Sequence, residues 1–173
     1  MPLAMSHPSH HDTGWRDALA WRAPARPAGR PIDPHLLAAL LAAIPVWLAL
    51  GLWAAPWMRS PEGLWAWVSF VLLMPLLEEL VLRGLLQGQL LRAWQAHGEP
   101  RRIGPISWAN GLTTLVFVAM HGLVQPPLWA LAVAVPSMVL GHLRERLHSV
   151  WPAIGVHAVY NLGFALTAVG ASG

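Results

Sequence analysis

Apolar residues in this chain gather into five long runs, at residues 35–57, 63–92, 104–123, 127–143 and 151–170. Each is near the length that an α-helix needs to cross the hydrocarbon core of a bilayer. The pattern predicts an all-α, polytopic transmembrane bundle of about five spans. The second run is the longest, so its helix must tilt or extend past the bilayer. Pro45, Pro75 and Pro136 lie inside runs, where neighbouring helices can satisfy the carbonyls a proline leaves without a donor. Ahead of the first run, residues 1–34 form a Pro/Arg/His-rich arm, read as flexible, polar and cytosolic. It lacks the apolar core and cleavage site of a removable signal peptide, and its HPSHH tract reads as solvated tail. Residues 35–171 then make one helical membrane domain.

Composition agrees. Of 173 residues, 55% are hydrophobic and only 11% charged, a balance suited to a membrane protein. Eleven Trp accompany a single Tyr, and Trp53, Trp57, Trp65, Trp94, Trp108, Trp129 and Trp151 fall near span ends, as in an interfacial belt. Every basic residue is Arg and the formal charge is +3. The arginines are scattered between spans rather than clustered, which argues against a nucleic-acid surface. Arg16, Arg22, Arg26 and Arg30 precede span one, Arg92, Arg101 and Arg102 follow span two, and Arg144 and Arg146 follow span four. The two other loops hold only Arg59. This alternation places the N-terminus in the cytosol and the C-terminus outside. The absence of Cys removes disulfides, thiolate metal sites and cysteine nucleophiles.

The polar exceptions inside the runs carry the chemistry. Glu78 and Glu79 stand in SFVLLMPLLEELVLRGLL with Arg83 one turn later. A charge at the bilayer centre costs roughly 2.5–3.5 kcal/mol even on the lenient insertion scale, so such residues mark function by default. Residues four apart share a helix face. Glu79 and Arg83 can therefore pair, while Glu78, about 100° around the helix, points into the bundle. Span three contributes His121, four residues after Phe117, which reads as packing. Span five contributes His157 and Asn161 on one face. Converging, a glutamate, two imidazoles and an amide could hydrolyse a peptide bond, since that reaction needs a base for water and donors for the developing oxyanion. His142 and His148 read as interfacial. Asn110, Ser107 and Thr113 are small polar residues without evident purpose.

Other hydrolase designs are missing. There is no HExxH and no GxSxG, Ser69 and Ser137 are isolated, and the only aspartates, Asp12, Asp17 and Asp33, precede the first span. EELVLRG (78–84), FVAMH (117–121) and HAVYN (157–161) resemble the three signature motifs, EExxxR, FxxxH and HxxxN, of the CPBP intramembrane proteases, also called the CAAX protease and bacteriocin-processing, or Abi, family. GHLRERLHSVWPAIGVHAVYN (141–161) resembles the family's helix–turn–helix run into its last motif. The likeness covers about 70–161, the protease core. It implies that Glu78 activates water, that His121 positions or deprotonates that water, and that His157 and Asn161 serve the oxyanion, with Glu79, Arg83 and Phe117 supporting. A metal-free mechanism without cofactor is the expectation. Carboxylate plus two imidazoles, from Glu78, His121 and His157, would also accept a divalent ion such as zinc.

The expected function is an intramembrane endopeptidase acting on a membrane-anchored peptide or protein. Prenylated CAAX substrates are implied by the resemblance. The compact Arg/Trp/Ala-rich chain reads as bacterial, which favours a bacteriocin leader, an anchored regulator or a C-terminal sorting signal in the cell (inner) membrane. The competing reading is a non-catalytic peptide-binding membrane protein, such as a bacteriocin self-immunity factor. A proton or ion pathway ranks last, because spans one and four carry almost no polar groups.

Overall fold

The computed structural model describes residues 32–53, 58–96, 98 and 102–171. The arm at 1–31 and Trp57 lie outside the described residues. Helix α1 (Pro34–Trp53) opens the membrane domain, and α2 (Gly63–Gln95) is one continuous helix with two π-helical segments, at Ser69–Leu73 and Leu80–Leu86. A two-residue ladder, β1 (Arg102–Ile103) with β2 (Ile106–Ser107), leads into α3 (Trp108–Gly122). Then come α4 (Pro127–Ala132), α5 (Ala134–Leu147) and α6 (Trp151–Ala171). The all-α polytopic bundle is thus borne out. Four helical stretches are long and apolar enough to cross a membrane: α1, α2, α4 with α5 (Pro127–Leu147), and α6.

The third expected span is the exception. Its apolar run begins at residue 104, but Gly104, at φ +58°, and Pro105 form the tight turn between β1 and β2. A positive φ at the first central residue is what a two-residue hairpin demands, and glycine supplies it without strain. Helix starts only after Ser107, whose hydroxyl caps it by accepting from the Asn110 N–H. The result is a helix of 15 residues.

Two ion pairs tie the ends of the elements together at one end of the bundle. Arg102 Nη2 contacts Glu145 Oε2 at 2.9 Å, joining the segment after α2 to the end of α5. Arg146 Nε lies 3.0 Å from Asp33 Oδ2, joining the end of α5 to the start of α1. Asp33 also caps α1, accepting from the His35 and Leu36 N–H groups, with Pro34 pre-set at the first helical position. A small core of Ala39, Leu140, Leu143, Ala153 and Val156 fills this end. There the Tyr160 hydroxyl donates to the Ala39 carbonyl at 2.9 Å. Farther along, α1 lies against α6 so closely that a Cβ on Gly163 would sit 2.1 Å from the Trp47 indole. His148, in the left-handed conformation, turns the chain from α5 into α6. This is the helix–turn–helix expected at 141–161.

The Asp33 contact has a pH signature. The Arg146 guanidinium beside Asp33 holds its carboxyl below the usual carboxylate range, burial opposes this, and the capping N–H groups add to it. A carboxylate lowered in the folded state stabilises wherever it is ionised in both states, above about pH 4, and that contribution is lost as pH falls through the lowered value. Asparagine caps as well as aspartate but cannot pair with Arg146. The melting-temperature gap between the wild type and Asp33→Asn in detergent is therefore expected to be constant near neutrality and to close below about pH 4. A gap that persists down to pH 2 would mean the ion pair contributes nothing.

Candidate active site

Arg83 and Glu79 are both fully buried, and Arg83 Nε lies 3.3 Å from Glu79 Oε2 one turn away. The other end of the guanidinium is held by α5, where Nη2 donates to the Ser137 carbonyl at 3.0 Å and hydroxyl at 2.8 Å. That hydroxyl donates onward to Thr114 Oγ1 at 3.0 Å, and Thr114 donates to Asn110 Oδ1 at 3.4 Å. Below the guanidinium sits the Phe117 ring, with its centroid 5.6 Å from Arg83 Cζ. Three helices thus clamp one cation, which is how an ion pair is kept in an apolar interior.

The free side of Glu79 sets the next residue. Its Oε1 accepts from His157 Nδ1 at 3.0 Å. A carboxylate paired with an arginine can only accept, which assigns the proton to Nδ1. This directs Nε2 of the same ring at Glu78, whose Oε2 is 3.8 Å away. Both carboxylates therefore address one imidazole, from opposite nitrogens. The expected division holds in part: Glu79 is the buried, neutralised member and Glu78 the more exposed one, its side chain 25% accessible. That they share His157 is new.

His121 and Asn161 complete the group. His121 Nδ1 donates to the Phe117 carbonyl at 2.9 Å, and its ring stacks on Phe117 with centroids 4.3 Å apart. In the neutral ring this leaves Nε2 as an open acceptor. Phe117 also meets His157, at 6.1 Å, so one phenyl ring spaces Arg83 and both imidazoles. Glu78 lies within electrostatic reach of both His157 and His121. Asn161 follows His157 by one turn, and its Nδ2 donates to the Phe70 carbonyl at 2.9 Å. Helix α3 stops just beyond His121. His142 and His148 lie elsewhere: His142 Nε2 meets His35 Nδ1 at 3.0 Å at the arginine-rich end, and His148 is exposed in its turn.

Among the described residues, no three His, Asp or Glu side chains are gathered as a metal would require. What the arrangement offers is general-base, acceptor and donor chemistry beside a buried ion pair.

A family model, described as type II CAAX prenyl endopeptidase Rce1-like, matches residues 60–163, the stretch that contains Glu78, Glu79, Arg83, Phe117, His121, His157 and Asn161. The chain belongs to that Rce1-like family. It is accordingly an integral membrane protein of a CAAX-type intramembrane endopeptidase family, consistent with the CPBP resemblance of its motifs. No curated protein and no solved structure matches the chain significantly.

Some of what supports this Rce1-like site is invisible in its motifs. Ser137, an isolated serine in the sequence, is fully buried and anchors Arg83. Gln87, one turn past Arg83, donates to the Gly141 carbonyl at 3.1 Å and to Glu145 Oε1 at 2.8 Å. Ser107 donates to the same oxygen. Arg144 Nε caps the Arg83 carbonyl at 3.1 Å. Gln87 continues the i, i+4 series of Glu79 and Arg83, the one signal by which it could have been found.

Proposed function

We propose that this protein is a metal-free glutamate endopeptidase of a bacterial cell membrane that cleaves membrane-anchored peptides near their anchoring segment. The observation that carries the reading is Glu78: a carboxylate left partly accessible beside an imidazole, in a cluster whose other carboxylate is neutralised. Glu78 takes a proton from water, which His121 Nε2 orients by accepting its second hydrogen. The water oxygen attacks the scissile carbonyl carbon, and the resulting oxyanion is met by the remaining N–H of Asn161 Nδ2 and by protonated His157 Nε2. Glu79 holds the ring in place through Nδ1. As the tetrahedral carbon collapses, the C–N bond breaks and Glu78 returns its proton to the leaving amine. The second hydrogen of the water stays on the new carboxyl, so the products are one carboxylic acid and one amine.

The test compares membrane and secreted protein termini, by mass spectrometry, between the native host and a Glu78→Ala strain with abundance checked by blot. Specific termini are expected to vanish while the protein persists in the membrane, and the lost termini name the substrate. Unchanged termini, under conditions where the gene is needed, would favour a peptide-binding or immunity role.

A further inference from the structure

Asn161 is held by a carbonyl that should not have been free. In the first π-helical segment the backbone bonds run from each N–H to the carbonyl five residues back, and the Met74 N–H goes to the Ser69 carbonyl. The next bond in that register would join residue 75 to the Phe70 carbonyl. Residue 75 is Pro75, fully buried and without an N–H. The Phe70 carbonyl therefore has no ladder partner, inside an apolar bundle where an unsatisfied backbone group is costly. Asn161 Nδ2 supplies the donor, at 2.9 Å.

From this we infer that Pro75 is a positioning residue for the reaction. By emptying one backbone position three residues before Glu78, it creates the acceptor that pins the Asn161 amide. An amide pinned through one N–H has its plane fixed, and its second N–H is then held in one direction rather than free to rotate. The base and the amide donor are thus set by adjacent turns of the same helix: Glu78 by its place on α2, Asn161 by the gap Pro75 leaves in α2. The π turn is essential to the device, because in an ordinary α register the vacancy would fall on Val71 instead. The inference rests on the oxyanion role proposed for Asn161.

Alanine at 75 restores the missing N–H, which can then take the Phe70 carbonyl and release Asn161. The chain contains two asparagines, Asn110 and Asn161, so protein labelled with 15N-asparagine in detergent micelles gives two pairs of side-chain amide signals. In Pro75→Ala the Asn161 pair is expected to shift and to lose protection from exchange. The Asn110 pair, whose Nδ2 bonds to the Met138 carbonyl, should stay in place and report an intact fold. In the host, the ratio of cleaved to uncleaved forms of the termini lost with Glu78 is expected to fall roughly tenfold or more, since removal of a whole oxyanion donor costs about 10²–10³. In an Asn161→Ala background, Pro75→Ala should add no further loss. An unmoved Asn161 pair overturns the inference, and so does a released amide with undiminished cleavage. Undiminished cleavage in Asn161→Ala itself overturns the oxyanion role, and unchanged termini in Glu78→Ala overturn the endopeptidase reading. The failures are distinguishable.

Discussion

Arg83→Leu is expected to lose about 3–5 kcal/mol of stability, the usual cost of breaking a buried ion pair from one side. Leucine fills much of the space but leaves the fully buried Glu79 without its counter-charge, with His157 on its other oxygen. It also removes both donors to Ser137 and the cation over Phe117. Glu79→Gln should also destabilise, since it leaves the buried Arg83 cation without its counter-charge, but by less, because its amide oxygen can still accept from His157 Nδ1 and Arg83 keeps its bonds to α5. The double variant Glu79→Gln with Arg83→Leu should therefore recover at least half of the loss, the non-additivity expected for groups in contact. Unfolding followed by tryptophan fluorescence in mixed micelles measures all three. A loss below about 1 kcal/mol in Arg83→Leu would mean that the pair does not hold the three helices together.

Gly141→Ala is the second large expectation. A Cβ at this position would lie 2.1 Å from Asn110 Oδ1 and 2.5 Å from its Cγ. That amide cannot swing aside, since its Nδ2 donates to Met138 and its Oδ1 accepts from Thr114. Overpacking of this kind costs roughly 1–3 kcal/mol, and occasionally more where a polar network must break. The displaced Asn110 would pull on Thr114, and through it on the Ser137 hydroxyl that bonds Arg83, so cleavage should fall along with the melting temperature. Gly155→Ala is the control: nothing lies within 4 Å of its added Cβ, and alanine favours helix over glycine by up to about 1 kcal/mol. If both variants melt at or above the wild type, α3 and α5 are not in contact at Gly141.

How much of this could be read from the residues alone depended on whether a feature was local. Glu79 with Arg83, and His157 with Asn161, share faces by spacing, and both pairs lie on one site. Their partners were not legible. Ser137 matters because α5 brings it against α2, and no run of sequence around it says so. Asn161 was expected to face a substrate, yet one of its N–H groups is committed to Phe70. Pro75 was visible, but which carbonyl it vacates depends on a π register that the letters do not display. The third span was misjudged in length because apolar character continues through Ile103 and Ile106, where the Gly104-Pro105 turn makes a hairpin of what hydropathy reads as helix.

That short helix has a consequence for the lipid. At 15 residues, α3 rises roughly 22 Å, while the hydrocarbon core is about 30 Å thick. Its start is tied to the arginine-rich end through Ser107 and Glu145, so the whole shortfall falls at the far end, beside His121. The turn that follows suits such a depth. It presents Leu123 and Val124 outward, and the N–H groups of Leu123, Val124 and Gln125 all return to the carbonyls of Met120 and His121, leaving them nothing to seek from water. Around this corner the acyl chains must shorten or splay, drawing the headgroup plane down toward the imidazole. A thick, well-ordered bilayer resists that dimple, and a thin one welcomes it. Membrane thickness thereby becomes a variable that acts on how near bulk water comes to the site.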